Sequence, residues 1–244
     1  MAMASFPFEL VETSGEDALA TWEVLKSGGR GAPVVLGSKI EEYLPACSPV
    51  QAARLPPVHD ILAEAASINF PDDLLRFQRE ELARAMAALS KINASIKIDP
   101  EEKYEPPLGD WAAKASDSPG LSVLYDFATR KIRSSVQIAL IPTDDPTTIP
   151  AYLHWGHWNA CPPAAYHVAA LRAWRERYGA ELVGIDGDTL NLRVSRKPAT
   201  REEALELARA QYIYCNDIVD QGVGSYKALA AELMAHDWWY FWWD

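Results

Sequence analysis

The feature that most constrains the fold is a short turn, Asp186-Gly187-Asp188, set between two β-prone runs, Glu181–Ile185 and Thr189–Val194. Both runs carry branched apolar residues, and Gly permits the positive φ that a tight reversal needs, so an antiparallel hairpin is predicted. A hairpin alone is marginal in water and needs a hydrophobic cover. The flanking sequence supplies helices for that purpose. Pro162-Pro163 suits the first turn of a helix running to Tyr178, with Gly179 as its C-terminal cap and His167, Leu171, Trp174 and Tyr178 on one stripe. Thr200 and Glu203 form a capping box for a second helix, with Leu205, Ala208, Tyr212 and Cys215 on one side. A last helix, near Ser225–Ala235, leads into Trp238-Trp239-Tyr240-Phe241-Trp242-Trp243, read as a central strand with aromatics on both faces.

Upstream, a β-prone run at Phe8–Glu12 precedes a helix that Ser14 can cap, with Ala18, Trp22 and Leu25 on its apolar stripe. Gly28-Gly29-Arg30-Gly31 ends it, Pro33–Leu36 is a short buried strand, and Gly37-Ser38 turns into another short helix. Helical patterns follow at Val58–Ala66 and Asp72–Ile92, the second with Leu75, Leu82, Met86 and Leu89 on one side, both expected to pack on a sheet. Asn93–Gly120 is charged and proline-marked, a linker or long surface loop. Leu121–Phe127 and Ile132–Ile141 are β-rich runs whose simplest pairing is a hairpin. The expected architecture is therefore mixed α/β of the α+β type. A hairpin-rich sheet with packed helices occupies 120–244, and an N-terminal helix-strand-helix module over 1–119 lies alongside, ending in the proline-rich charged linker.

With 49% hydrophobic residues in 244, the chain can build a full core. Its formal charge of −11 is spread through both halves. Such a field repels phosphate, which argues against nucleic-acid binding, and it attracts a basic protein or a cationic small molecule. The start of the chain has no signal-peptide pattern, and no apolar run approaches the ~20 residues that cross a bilayer, so a cytoplasmic protein without membrane contact is expected. Cys47, Cys161 and Cys215 are odd in number and lack C-x-x-C spacing, as expected of reduced thiols.

One set of residues carries a resemblance: Trp155-Gly156, Trp158-Asn159-Ala160-Cys161-Pro162, Tyr178-Gly179-Ala180-Glu181, Glu202-Glu203-Ala204, Gln211-Tyr212, Cys215, Asp220 and the ending Trp239–Asp244. Over about residues 138–244 the chain resembles the uncharacterised, mostly bacterial family known as domain of unknown function 4253. The resemblance implies a bacterial type of protein and a domain boundary. It brings no activity, cofactor or catalytic residue.

Chemistry must therefore come from the residues. In His154-Trp155-Gly156-His157-Trp158-Asn159-Ala160-Cys161-Pro162, a thiol precedes a helix start, where the helix dipole favours thiolate, and an imidazole could act as its base. Cys161 with His157 or His154 is thus a candidate catalytic pair. The alternative is a thiol that packs as a small hydrophobe. Trp155, Trp158, Asn159, Asp217, Asp220, Trp239 and Trp243 are candidate ligand-binding residues around it. His154 and His157 with Asp217 or Asp220 make an incomplete ligand set, so no metal site is assigned. His167 is read as a half-buried imidazole on its helical stripe. Cofactor and oligomeric state stay open. The leading functional reading is a non-catalytic binding protein, an adaptor or an immunity-type neutraliser of a basic partner. The alternative is a small-molecule enzyme with a Cys–His pair in an aromatic-lined pocket.

Overall fold

Ala32–Leu36 (β2) has no polar alternation, as befits a strand covered on both sides, and all five of its residues are buried. In the computed structural model, which describes residues 6–37, 44, 54–89, 105–112, 114–126 and 128–244, β2 sits inside one six-stranded mixed sheet. Its partners are β1 (Glu9–Thr13), β3 (Val136–Ile141), β4 (Glu181–Ile185), β5 (Thr189–Arg193) and β6 (Trp238–Trp242), in the order β1-β3-β2-β4-β5-β6. Only β2 and β4 run parallel, with Val35 opposite Gly184; the other pairs are antiparallel. Strands from either side of the 119/120 boundary therefore share one sheet, since β3 lies between β1 and β2. A strand buried on both faces must satisfy its backbone groups on both edges, and β1 and β2 supply those partners.

Strand alternation divides the core. Val34, Ala139, Leu190, Leu192, Trp239, Phe241 and Trp243 face the larger cluster. That face is covered by α5 (Ala164–Tyr178), α6 (Arg201–Tyr214) and α7 (Tyr226–Ala235). Val35, Ile138 and Val183 face the opposite side, under α1 (Ala18–Ser27) and residues 121–124. The hairpin around Asp186–Asp188 forms with the expected pairing, Ile185 opposite Leu190. Gly187, however, is not among the positive-φ glycines. Instead the Asp186 carboxylate accepts from the Gly187 N–H, and the Asp186 N–H bonds to the Thr189 carbonyl.

Several expectations change. Among the described residues, 121–126 and 132–141 do not form the expected two-stranded ladder: Ser122–Leu124 is a 3-10 turn, and Tyr125 meets Ile132 in an isolated bridge. The Asn191 side chain on β5 captures Ser122 and the Val123 N–H, while β3 is taken up by β1 and β2. The aromatic run is an edge strand rather than a central one. Trp239 and Phe241 point into the core, while Tyr240 on the other face is exposed. Helices α2 (Val58–Ser67) and α3 (Asp72–Leu89) pack on other helices rather than on the sheet, α2 on α5 and on the short α4 (Ile149–Leu153), α3 on α6. Leu74 and Gln78 are the buried residues of α3, and Leu89 is exposed. Ser14 accepts from the Asp17 N–H ahead of α1. The described end of the linker docks on α7, whose Tyr226 and Lys227 N–H groups donate to the Pro107 and Leu108 carbonyls. Cys47, the short helix expected after Ser38 and the first part of the linker lie outside the described residues. Among those described, no helix is long and apolar enough to cross a membrane.

Candidate functional site

The loop after α4 concentrates backbone strain. His154 (φ 50°), Gly156 (φ 109°), His157 (φ 70°) and Asn159 (φ 45°) all take left-handed or Gly-only conformations within six residues. Non-Gly residues in this region cost free energy and persist only where surroundings enforce them. Here the His157 N–H donates to the Pro162 carbonyl at 3.0 Å and the Cys161 N–H to Trp158 at 2.8 Å. The Trp155 indole donates to the Asp186 carbonyl, and the Asn159 amide to the Asp244 carbonyl. Gly156 has to be glycine on steric grounds as well. A Cβ there would lie 2.3 Å from the Pro162 oxygen and 2.7 Å from His167 Nε2.

The loop delivers Cys161 to an imidazole, but not to either expected one. Cys161 Sγ lies 3.5 Å from Nε2 of His167, whose Nδ1 is 2.6 Å from the Tyr214 hydroxyl. His157 is exposed in the loop, and His154 turns its Nε2 to the Pro56 carbonyl. His167 is entirely buried rather than half-buried, and Cys161 is 3% exposed. The ring is packed by Trp155, Tyr214 and Trp243 at centroid distances of 4.7, 5.3 and 5.7 Å. The expected aromatic-lined pocket is therefore filled core.

Enclosure sets the chemistry of this line. Burial, with the Cys215 thiol nearby adding to it, pushes the Cys161 thiol well up. Burial also pulls the His167 pKa down to about 3, against a smaller opposing effect of the Pro162 carbonyl. The two His167 ring nitrogens are taken up by Cys161 Sγ at Nε2 and the Tyr214 hydroxyl at Nδ1. An imidazole whose pKa is pulled down this far is a poor base for a thiol whose pKa is pushed up. The resting pair is neutral on both sides, unlike the thiolate–imidazolium pair of a catalytic cysteine.

The remaining candidates are spread out. Asp217 accepts from the Asp244 N–H and from Gln221, which ties it through Asp244 to Asn159. Asp220 accepts from Tyr212 and Asn216 on the α6 side. Neither approaches a histidine by hydrogen bond, and among the described residues no three His, Cys, Asp or Glu side chains gather as metal ligands. Trp158 stands edge-on to Trp155, and Trp239 packs on Trp174 and Tyr178.

A groove of about 300 Å³ lies just outside, between Phe77, Gln78, Glu81, Leu82 and Ala85 of α3 and residues 157 and 159–162 of the strained loop, with Cys161 in its wall. Sequence reasoning missed this face because it assigned α3 to the sheet. It missed His167 as the thiol's partner although the spacing was available: Cys161 precedes α5 by three residues and His167 lies in its first turn. Tyr214 had no local signal.

Residues 137–244 match the family described as Domain of unknown function (DUF4253). No curated protein and no solved structure matches the chain significantly. The DUF4253 segment holds the strained loop and the Cys161–His167–Tyr214 line complete. It lacks β1, β2 and α3, which supply two strands of the sheet and one wall of the groove.

Proposed function

We propose that the chain is a non-catalytic binding protein, of adaptor or immunity type, that acts in the cytoplasm and engages a basic partner. The observation that carries this reading is the enclosed, uncharged Cys161–His167–Tyr214 line: the one thiol–imidazole contact found among the described residues is built as core. The acidity of the chain, −11, supports the charge of the partner. The test is alkylation by iodoacetamide across pH 6–10, with Cys161 followed by mass spectrometry of its peptide in the folded wild-type protein. The reading expects Cys161 to stay unmodified until denaturant is added. Modification of the folded protein below pH 7, lost in His167→Gln, would overturn it.

The enzyme reading keeps one specific observation: Cys161 stands in the wall of a groove, and its imidazole is oriented by a third group, Tyr214. It requires loop 154–161 to open and admit solvent to the buried pair before the thiol could ionise. The same alkylation experiment decides between the two.

A further inference from the structure

A strand at the edge of a sheet leaves a row of backbone groups unpaired, and β6 is such a strand. The Val194 N–H donates to the Asp237 carbonyl and the Trp243 N–H to the Asp188 carbonyl. In an antiparallel ladder this parity turns the backbone groups of Trp239 and Phe241 toward β5 and those of Trp238, Tyr240 and Trp242 away from it. The Cys215 thiol takes the outward Trp242 carbonyl. Among the described residues nothing bonds to the outward N–H and C=O groups of Trp238 and Tyr240. The strand carries none of the devices that blunt an open edge: Trp238–Trp242 has no Lys, no Pro and no bulge, and its register with β5 is unbroken. The opposite edge, β1, presents the exposed side chains of Glu9 and Glu12. Trp238, Tyr240 and Trp242 share one face of β6, and Tyr240 is 37% exposed there. Exposed carboxylates flank the stretch: Asp237 precedes the strand, and Asp188 sits opposite Trp243 at its end. Neither is in an ion pair among the described residues. On the Tyr240 hydroxyl, Asp188 acts more strongly than Arg130, the basic side chain near it.

Resting on the binding reading above, we propose that the Trp238–Tyr240 edge of β6 takes an extended basic segment of the partner as an added strand. The outward backbone groups of Trp238 and Tyr240 supply the ladder, which fixes the segment without regard to its sequence. Lysine or arginine side chains at alternate positions of the segment lie over the aromatic face, within the field of Asp188 and Asp237. A second copy of the chain is the poorer occupant. It would bring a further charge of −11 to the same edge, and its own β6 is covered at Trp242 by Cys215.

The test is calorimetric titration of the full chain with a capped seven-residue peptide of alternating lysine and threonine, and with its glutamate–threonine counterpart. Two N-methylated forms of the basic peptide are titrated beside them, one blocked at the lysine amides and one at the threonine amides. Saturable binding of the basic peptide is expected, and none of the acidic one. An added strand uses only alternate amides, so one methylated form should bind like the parent and the other about tenfold or more weaker. Tyr240→Lys, at an exposed position expected to tolerate it, should weaken the parent peptide by about tenfold by replacing the ring with a like charge. Amide hydrogen exchange gives a readout that needs no variant. The Trp238 and Tyr240 amides should exchange freely in the unbound chain while Trp239 and Phe241 are protected, and should gain protection on binding. Equal binding of both methylated forms, which a diffuse response to charge would give, overturns the proposal, as do absence of binding and Trp238 and Tyr240 amides already protected in the unbound chain. Dimerisation of the chain that Tyr240→Lys abolishes would give the edge to a second copy and overturn it as well. Any of these failures with Cys161 still inert to alkylation rejects this occupant and leaves the non-catalytic reading standing.

Discussion

Replacing His167 with Gln should remove one defined, proton-linked loss of stability in mild acid. His167 is fully buried with its pKa pulled down to about 3, against 6.5 for a free imidazole. Between those values the unfolded chain binds a proton that the folded chain refuses, so stability is intact above about pH 6.5 and falls as pH falls toward 3. At pH 4.5, about two units below the unfolded value, one such group costs about 3 kcal/mol at 1.36 kcal/mol per unit. The glutamine that replaces it would be uncharged at both pH values and still able to accept from the Tyr214 hydroxyl. The assay is urea unfolding of wild type and His167→Gln at pH 7.0 and 4.5 and constant ionic strength, read by tryptophan fluorescence. The wild-type drop between the two conditions should exceed the variant's by about 3 kcal/mol. Asp186 works in the opposite direction: burial raises its pKa to about 6, so its contribution is gained as pH falls. It is present in both proteins and cancels in the difference. Equal drops, within about 1 kcal/mol of each other, would refute the enclosure of His167 on which the neutral thiol–imidazole line depends.

Other perturbations test separate parts of the structure. Gly156→Ala forces a Cβ to 2.3 Å from the Pro162 oxygen at a φ of 109°, and should cost about 3 kcal/mol or more of unfolding free energy; a loss under about 1 kcal/mol would show that the loop relaxes freely. Thr200→Ala removes the hydroxyl that accepts from the Glu203 N–H at the start of α6, and should cost about 1 kcal/mol, a fall of roughly 2–4 °C in Tm for a chain of this size. A fragment covering 120–244 keeps β3 but loses both strands that flank it, and should lack a cooperative thermal transition while the full chain retains one. A sharp transition in that fragment would show that the C-terminal part folds without β1 and β2.

Much of the local structure was legible because its signals are short-range. The Asp186–Asp188 reversal, the Thr200 cap and the Gly179 C-cap (φ 62°) each depend on residues within a few positions of one another. The buried stripe His167, Leu171, Trp174 and Tyr178 follows from helical periodicity alone. The errors fall where long-range partners compete. Ile132–Ile141 has the composition of a hairpin strand, but β1 and β2 offer β3 two full ladders where the described residues 121–126 offer an isolated bridge. Leu82 and Leu89 mark a helical face on α3, yet only what packs against a face decides whether it meets a sheet, a helix or solvent.

The sequence by itself determined the main helices and strands from Ala164 to Trp242, the mixed α/β class and the presence of a reactive-looking loop, because capping, turn chemistry and periodicity are properties of neighbouring residues. Only the tertiary structure decided that β3 is inserted between two N-terminal strands. It alone decided that Cys161 meets His167 rather than His157, and that this pair is sealed by Trp155, Tyr214 and Trp243. The reason is physical. Whether a thiol and an imidazole form a charged catalytic pair or a neutral piece of core depends on the solvent and dipoles around them, and those are brought together from α4, α5, α6 and β6 by folding.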